Sequence, residues 1–305
     1  MLCHWDEVPE RVAGVGPMRA AWADLGSAAG TLGVGLRRVR IDPDGQSTPA
    51  HAHDGEEELC FVLAGDGVSW QDGATYAVQA GDVLLHPPRG PAHTLIGGAG
   101  GLDVLMFGER LRAEISRLPR AGVAWIGSTW AEAGQGPGPW EREAQAGPVE
   151  AGEPAPRPPS IAAVEDLAAE EVRRGETAMA LRRLGAAVGS VHTGMRLMAI
   201  EPGALGYPPH CHSSEEELFV VLDGAGTLLL GDDERPVRAG HVVSRPAGTG
   251  VAHAFRAGAG TLTLLAYGTR DPGDMAWYPR SAKVSVRGLG VRFRVAQVEY
   301  WDGEE

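Results

Sequence analysis

The sequence predicts an all-β protein built from two copies of one antiparallel sandwich or barrel. Three observations carry that expectation. Two stretches resemble each other: HAHDGEEELCFVLAG at 51–65 and HCHSSEEELFVVLDG at 210–224. The likeness extends over most of each half of the 305-residue chain at a nearly constant offset. Between the repeated motifs lie short apolar runs bounded by Gly, Pro and Asp, the pattern of all-β domains.

The offset is 159 positions for His51, His53, Glu58, Gly65 and Gly81, which match His210, His212, Glu217, Gly224 and Gly240. One inserted residue then shifts it to 160, where His93 matches His253 and Gly108-x-Arg110 matches Gly268-x-Arg270. Such self-similarity marks a duplicated unit. The two units are expected at 1–150 and 151–305, each with a C-terminal arm and related by a pseudo-two-fold axis. The Pro/Gly/Ala-rich segment 144–160 reads as a linker or surface wrap between them.

In the first half the strand candidates are 32–41, 58–65, 74–79, 82–87 and 102–108. In the second they are 195–202, 217–224, 226–231, 242–246 and 262–268. Only 107–118 and 161–174 compete as helix, the latter on its Ala/Glu/Arg content. Its counterpart in the first copy contains Pro9, which argues against a helix there. Trp125, Trp140, Trp277 and Trp301 read as apolar anchors of the arms.

Alternate residues of a strand share a face. His51 with His53, and His210 with His212, therefore point the same way. Glu58 and Glu217 head the next strand, and His93 and His253 come across from a later one. Three imidazoles and one carboxylate suit a divalent transition metal (Fe, Mn, Ni, Co or Zn). Eight such groups among buried strands would be costly without a partner. Up to two ions per chain are expected.

These residues resemble the cupin motifs. Gly45, His51, His53, Glu58 and Gly65 fit the first, and His210, His212, Glu217 and Gly224 repeat it. Gly81, Pro87, Gly90 and His93 fit the second with one extra residue, and Gly240, Pro246, Gly248 and His253 follow with a longer gap. The closing Asn of the second motif is missing; Gly97 stands there. The chain thus resembles a bicupin, two jelly-roll barrels of double-stranded β-helix type. The segments RPAGTGVAHAF and AYGTRDPGDMAWYPRS resemble bacterial cupin-2 conserved-barrel proteins. The resemblance implies a metal-dependent, dioxygenase-like oxidoreductase acting on a small organic acid or phenol. A non-catalytic module for a small ligand or sugar, or a sugar-phosphate isomerase or epimerase, is the alternative.

Phe219 and Phe255, with Tyr207, would give the second metal a dry wall, and Arg270 would meet an anionic substrate. The second site is therefore expected to carry the chemistry. The first, with Cys60 beside the metal and Gln46 and Thr94 nearby, is expected to be mainly structural. His4, His86, His192 and His241 read as surface or supporting residues.

A net charge of −13 argues against nucleic acid or an anionic membrane as partner. Three scattered cysteines and the absence of a signal-like start make the cytoplasm the expected location. The expected partner is a small molecule. A homodimer stays open, since the internal pairing already supplies a dimer-like interface.

Overall fold

The computed structural model describes residues 2–111, 114–126, 129–131 and 138–304. The strand Glu58–Gln71 shows why the apolar runs are continuous rather than alternating. Cys60 and Val62 face the interior of the first barrel, with Val39, Leu84 and Val104. Leu59 and Phe61 face the other way and pack against Leu218, Val220 and Leu265 of the second half. A strand buried on both faces needs apolar residues at every position. One core therefore fills each barrel, and a third joins the two sheets back to back.

The main sheet of the first half runs in the order Ile161–Ala163, Asp82–His86, Glu58–Gln71, His93–Glu109, Val34–Ile41, Met18–Asp24, Glu10–Val15. That of the second runs Leu2–His4, His241–Arg245, Glu217–Asp223, Leu262–Thr269, Thr193–Ile200, Thr177–Arg182, Glu170–Arg174. The fold is the duplicated antiparallel barrel read from the sequence. The edge strands, however, are exchanged. Leu2–His4 of the first half pairs with His241–Arg245, and Ile161–Ala163 of the second pairs with Asp82–His86.

This exchange corrects the helical reading of 161–174. Ile161–Ala163 is a strand, Val164–Asp166 a single 3-10 turn and Glu170–Arg174 a strand. Sheet edges offered by both halves satisfy the backbone, and this tertiary pairing overrides helix propensity. Around 107–118 the described residues are likewise extended: His93–Glu109 and Ile115–Leu118 are strands, while 112–113 lie outside the described residues. Among the described residues the α-helices are short: Leu25–Ala29, Pro139–Gln145 and Leu184–Ala187.

The repeated glycines at the strand ends have a steric reason. Gly65 and Gly224 have φ of 83° and 82°. A Cβ on either would lie 2.2 or 2.1 Å from the carbonyl oxygen of Gly101 or Thr261. Here the chain turns a barrel corner, and any side chain collides with backbone. Gly224→Ala is expected to lower the unfolding free energy by about 2–4 kcal/mol, the left-handed penalty plus overpacking. A denaturant titration would show it as a lower midpoint at unchanged slope.

The two arms differ. Pro139–Gln145 folds back, with Trp140 edge-on to Trp22 at 6.3 Å. Its counterpart Trp301 is 72% exposed, with its ring edge-on to that of Tyr300 at 4.9 Å.

Candidate metal centres

The register of the sheets brings each histidine set together. His51 bridges His93, and His210 bridges His253, across the mouth of each barrel. In the first barrel the rings of His51, His53 and His93 have centroids 4.7–5.7 Å apart. Glu58 Oε2 lies 3.0 Å from His93 Nε2. Ligand atoms from His51, His53, Glu58 and His93 all fall within 4.8 Å of one another. In the second barrel Glu217 Oε2 lies 3.8, 3.4 and 3.0 Å from the Nε2 atoms of His210, His212 and His253.

Five of the six remaining ring nitrogens are committed elsewhere, which fixes the orientation of those rings; His253 Nδ1 is buried without a hydrogen-bond partner. His51 Nδ1 donates to Pro49 O, His210 Nδ1 to Pro208 O, both at 2.9 Å, and His93 Nδ1 to Pro91 O at 3.3 Å. His212 Nδ1 lies 2.7 Å from Asp274 Oδ2, and His53 Nδ1 3.3 Å from Glu114 Oε1. A carboxylate behind a ligating imidazole holds the tautomer that leaves Nε2 free to coordinate. The Nε2 atoms of His53, His212 and His253 and Glu217 Oε2 are buried with no hydrogen-bond partner. Buried polar atoms without partners, gathered in each cluster, fit the binding of a metal cation.

Glu114 and Asp274 were not singled out by the sequence reading. Both are buried, and both also accept backbone N–H groups of the loop before the ligand glutamate: Asp54, Gly55 and Glu56 in one copy, Ser214 and Glu215 in the other. They match at the same offset of 160 as His93 and His253, and that was the available signal.

The electrostatics follow from burial and proximity. Burial, with the neighbouring rings of His93 and His53, pushes His51 down to about 3. Burial likewise lowers His210 to about 4. His212 goes the other way, to about 9: burial opposes protonation, but Glu217 and Asp274 outweigh it. Glu217 is buried, yet the imidazoles hold it well below the usual carboxylate range.

The space beside the clusters differs. The first barrel holds a cavity of about 230 Å³, lined among others by Ser47, Thr48, Thr94, His86, Arg37 and Trp22. The second leaves about 20 Å³. Phe219, Phe255 and Tyr207 do line that remnant, but they fill the space instead of walling it. The rings of Phe219 and Phe255 lie 4.9 Å apart, and Tyr278 stacks on His210 at 5.5 Å. Their counterparts Cys60, Leu95 and Leu118 are smaller. The cavity volumes thus run against the expectation that the second site is the working one.

Arg270 is not among the residues lining the second cavity. Its guanidinium packs over Gly194, as that of Arg110 does over Gly35. Gln46 turns its amide to Thr48 O and is not among the lining residues of the first. His86, read as supporting or superficial, is buried and lines the first cavity.

Two corner-turned β-barrels back to back, each with a His/Glu cluster that could coordinate a divalent metal, define a duplicated barrel protein of metalloenzyme-like design. Residues 37–99 and 196–266 each match the cupin domain family, so the chain carries two cupin domains, the arrangement of a bicupin. Among solved structures it is similar to oxalate decarboxylase from Bacillus subtilis at pH 4.6: 14% identity, 89% of this chain and 76% of that one, TM-score 0.57. A variant of the same enzyme matches at 16% identity over 90% and 78%, also with TM-score 0.57. A protein of Acidithiobacillus ferrooxidans that bears the provisional name sugar phosphate isomerase is 34% identical over 40% of this chain and 83% of that one, TM-score 0.37. No curated protein matches the sequence. Among the described residues no helix is long and apolar enough to cross a membrane.

Proposed function

We propose that the chain is a metal-dependent enzyme, of dioxygenase-like oxidoreductase type, whose first barrel is the reaction chamber for a small organic acid or phenol. The observation that carries this reading is the 230 Å³ cavity opening onto one cluster and not the other. In this reading His51, His53, Glu58 and His93 hold one ion, and His210, His212, Glu217 and His253 hold another in a closed, structural site. A divalent ion with four protein ligands would supply Lewis-acid and, for iron or manganese, redox chemistry at its open positions.

The chain's own residues supply the rest. Arg37 lines the cavity, its guanidinium 5.8 Å from the Trp22 ring centre, where it would meet a substrate carboxylate. Ser47, Thr48 and Thr94 offer hydroxyls on the facing wall, joined to one another at 3.2–3.4 Å. Leu95, Met106 and Phe107 line the apolar remainder and exclude water from the bound ligand.

The test is a turnover screen against catechols, diketones and hydroxy acids with Fe(II), Mn(II) and Ni(II). It should compare the parent, His51→Ala and His210→Ala. Metal analysis should give at least two equivalents for the parent and about one fewer for each variant. His51→Ala is expected to abolish turnover, and His210→Ala to keep it. Turnover that survives His51→Ala and disappears with His210→Ala would reverse the assignment of the two barrels. Full loading without turnover of any candidate would leave a binding module.

A further inference from the structure

The first cluster has neighbours that the second lacks. In the sheet, Glu58 stands directly opposite His86, and Cys60 follows two residues on, on the same face. Ligand atoms of Glu58, Cys60 and His86 all lie within 4.8 Å of one another. This trio shares Glu58 with the four-residue set. In the second barrel the same register places Glu217 opposite Arg245, with Phe219 at the position of Cys60. Arg245 is a fixed cation, its Nη2 donating to Val251 O at 2.7 Å. One barrel excludes a further cation at this place; the other lines it with a thiol and an imidazole.

His86 has no other evident task. Its side chain is buried at 3% exposure and lines the cavity, and among the described residues its ring makes no hydrogen bond. With no partner in the protein and the cavity beside it, the ring is free to bind a ligand through a nitrogen. The ring lies flat on that of His93, 3.6 Å away with 1° between the planes. Two parallel imidazoles at this separation suit two ions side by side. Carboxylate-bridged pairs of metal ions lie about 3.5–4 Å apart. Glu58 has the oxygens for the bridge: Oε2 lies by His93 Nε2 at 3.0 Å, and the second oxygen remains for the other ion.

We infer that the first barrel holds a second metal position, formed by Glu58, Cys60 and His86, beside the one formed by the motif residues and sharing its carboxylate. The inference rests on the reading of the first barrel as a metal site and adds an ion to it. A thiolate, an imidazole and a carboxylate select a borderline-soft divalent ion, Zn(II) or Co(II), over Mg(II) or Ca(II). On binding, the Cys60 S–H bond breaks, its proton leaves to solvent, and the sulfur lone pair forms the bond to the ion; no oxidation state changes. With three protein ligands, this ion keeps a position open toward the cavity.

Anaerobic titration of the reduced, chelator-stripped protein with Co(II) tests this, because a thiolate on cobalt produces a near-ultraviolet charge-transfer band. Three Co(II) per chain are expected, with the band growing as the third binds. Cys60→Ala and His86→Ala are each expected to bind two, without the band. Cys3→Ser should bind three and keep it. Two ions per chain in the parent, with or without the band, overturns the extra position and leaves the motif sites standing. Fewer than two overturns the motif reading as well. A band lost in Cys3→Ser assigns the thiolate to the wrong residue and also overturns the proposal. The parent titration decides by itself if either buried-site variant fails to fold.

Discussion

Glu57→Ala is expected to lower the unfolding free energy by about 3–5 kcal/mol, because several buried donors lose their acceptor at roughly 1–3 kcal/mol each. Glu57 is the middle residue of the first glutamate run, and it is 1% exposed. Its carboxylate reaches into the second half, where it accepts from Ser190 Oγ at 2.7 Å, Val191 N at 2.9 Å, Thr193 Oγ1 at 3.1 Å and Thr193 N at 3.2 Å. Glu216 returns the contact: it accepts from Leu32 N at 2.9 Å, Val34 N at 3.1 Å and Gly33 N in the first half. Each latch stands one residue before a ligand glutamate, so it ties the entry to one metal strand to the opposite barrel. Glu216→Ala is expected to cost about the same, since three backbone amides lose their acceptor. Denaturant titrations at pH 7 would measure both, and a loss of under ~1 kcal/mol for both would show the latches to be dispensable.

The same latch predicts an acid transition. Burial raises the Glu57 carboxyl, but the donors from Val191, Ser190 and Thr193 outweigh it and leave it below its ordinary value. Its stabilisation is therefore complete above the unfolded carboxylate range of about 4.3 and is lost as pH falls through the depressed folded-state value. Asp274 and Glu114 are depressed too: burial raises each, and hydrogen bonds with the ligand histidines and loop amides more than compensate. All three act in the same direction. Glu57→Ala should accordingly be less acid-sensitive than the parent.

The second large effect concerns Phe219 and Phe255. Replacing them with their first-barrel counterparts, as Phe219→Cys with Phe255→Leu, removes two rings that are 4% and 3% exposed. The expected destabilisation is about 3–5 kcal/mol from lost burial and the cavity left behind. Metal loading should remain near that of the parent, since no ligand changes. The gain should be binding of a small acid or phenol beside the second cluster. The reciprocal change, Cys60→Phe with Leu95→Phe, should close the first cavity and abolish turnover while leaving ions bound at the motif residues. Calorimetric ligand titration on both variants reads the result. Unchanged ligand binding in the reciprocal variant would show that the cavity is not the substrate site.

Periodicity and the internal repeat were enough to read two barrels and the eight His and Glu positions that gather in two clusters, because both are local facts. A His-x-His pair on one strand shares a face whatever the rest of the chain does. The corner glycines were equally legible, since the backbone at Gly65 and Gly224 leaves no room for a Cβ in either copy. Other features depended on distant segments. The strand at 161–163 is extended because Asp82–His86 offers it an open edge, and no window of sequence records that edge. Glu57 and Glu216 take their donors from the opposite half of the chain, which the local sequence does not record. Glu114 and Asp274 became visible as supports only when the chain brought them behind His53 and His212. The difference between the two barrels was also decided in three dimensions. The sequence names Phe219 and Phe255 as aromatic, but whether two rings wall a cavity or fill it depends on how much volume the surrounding strands enclose.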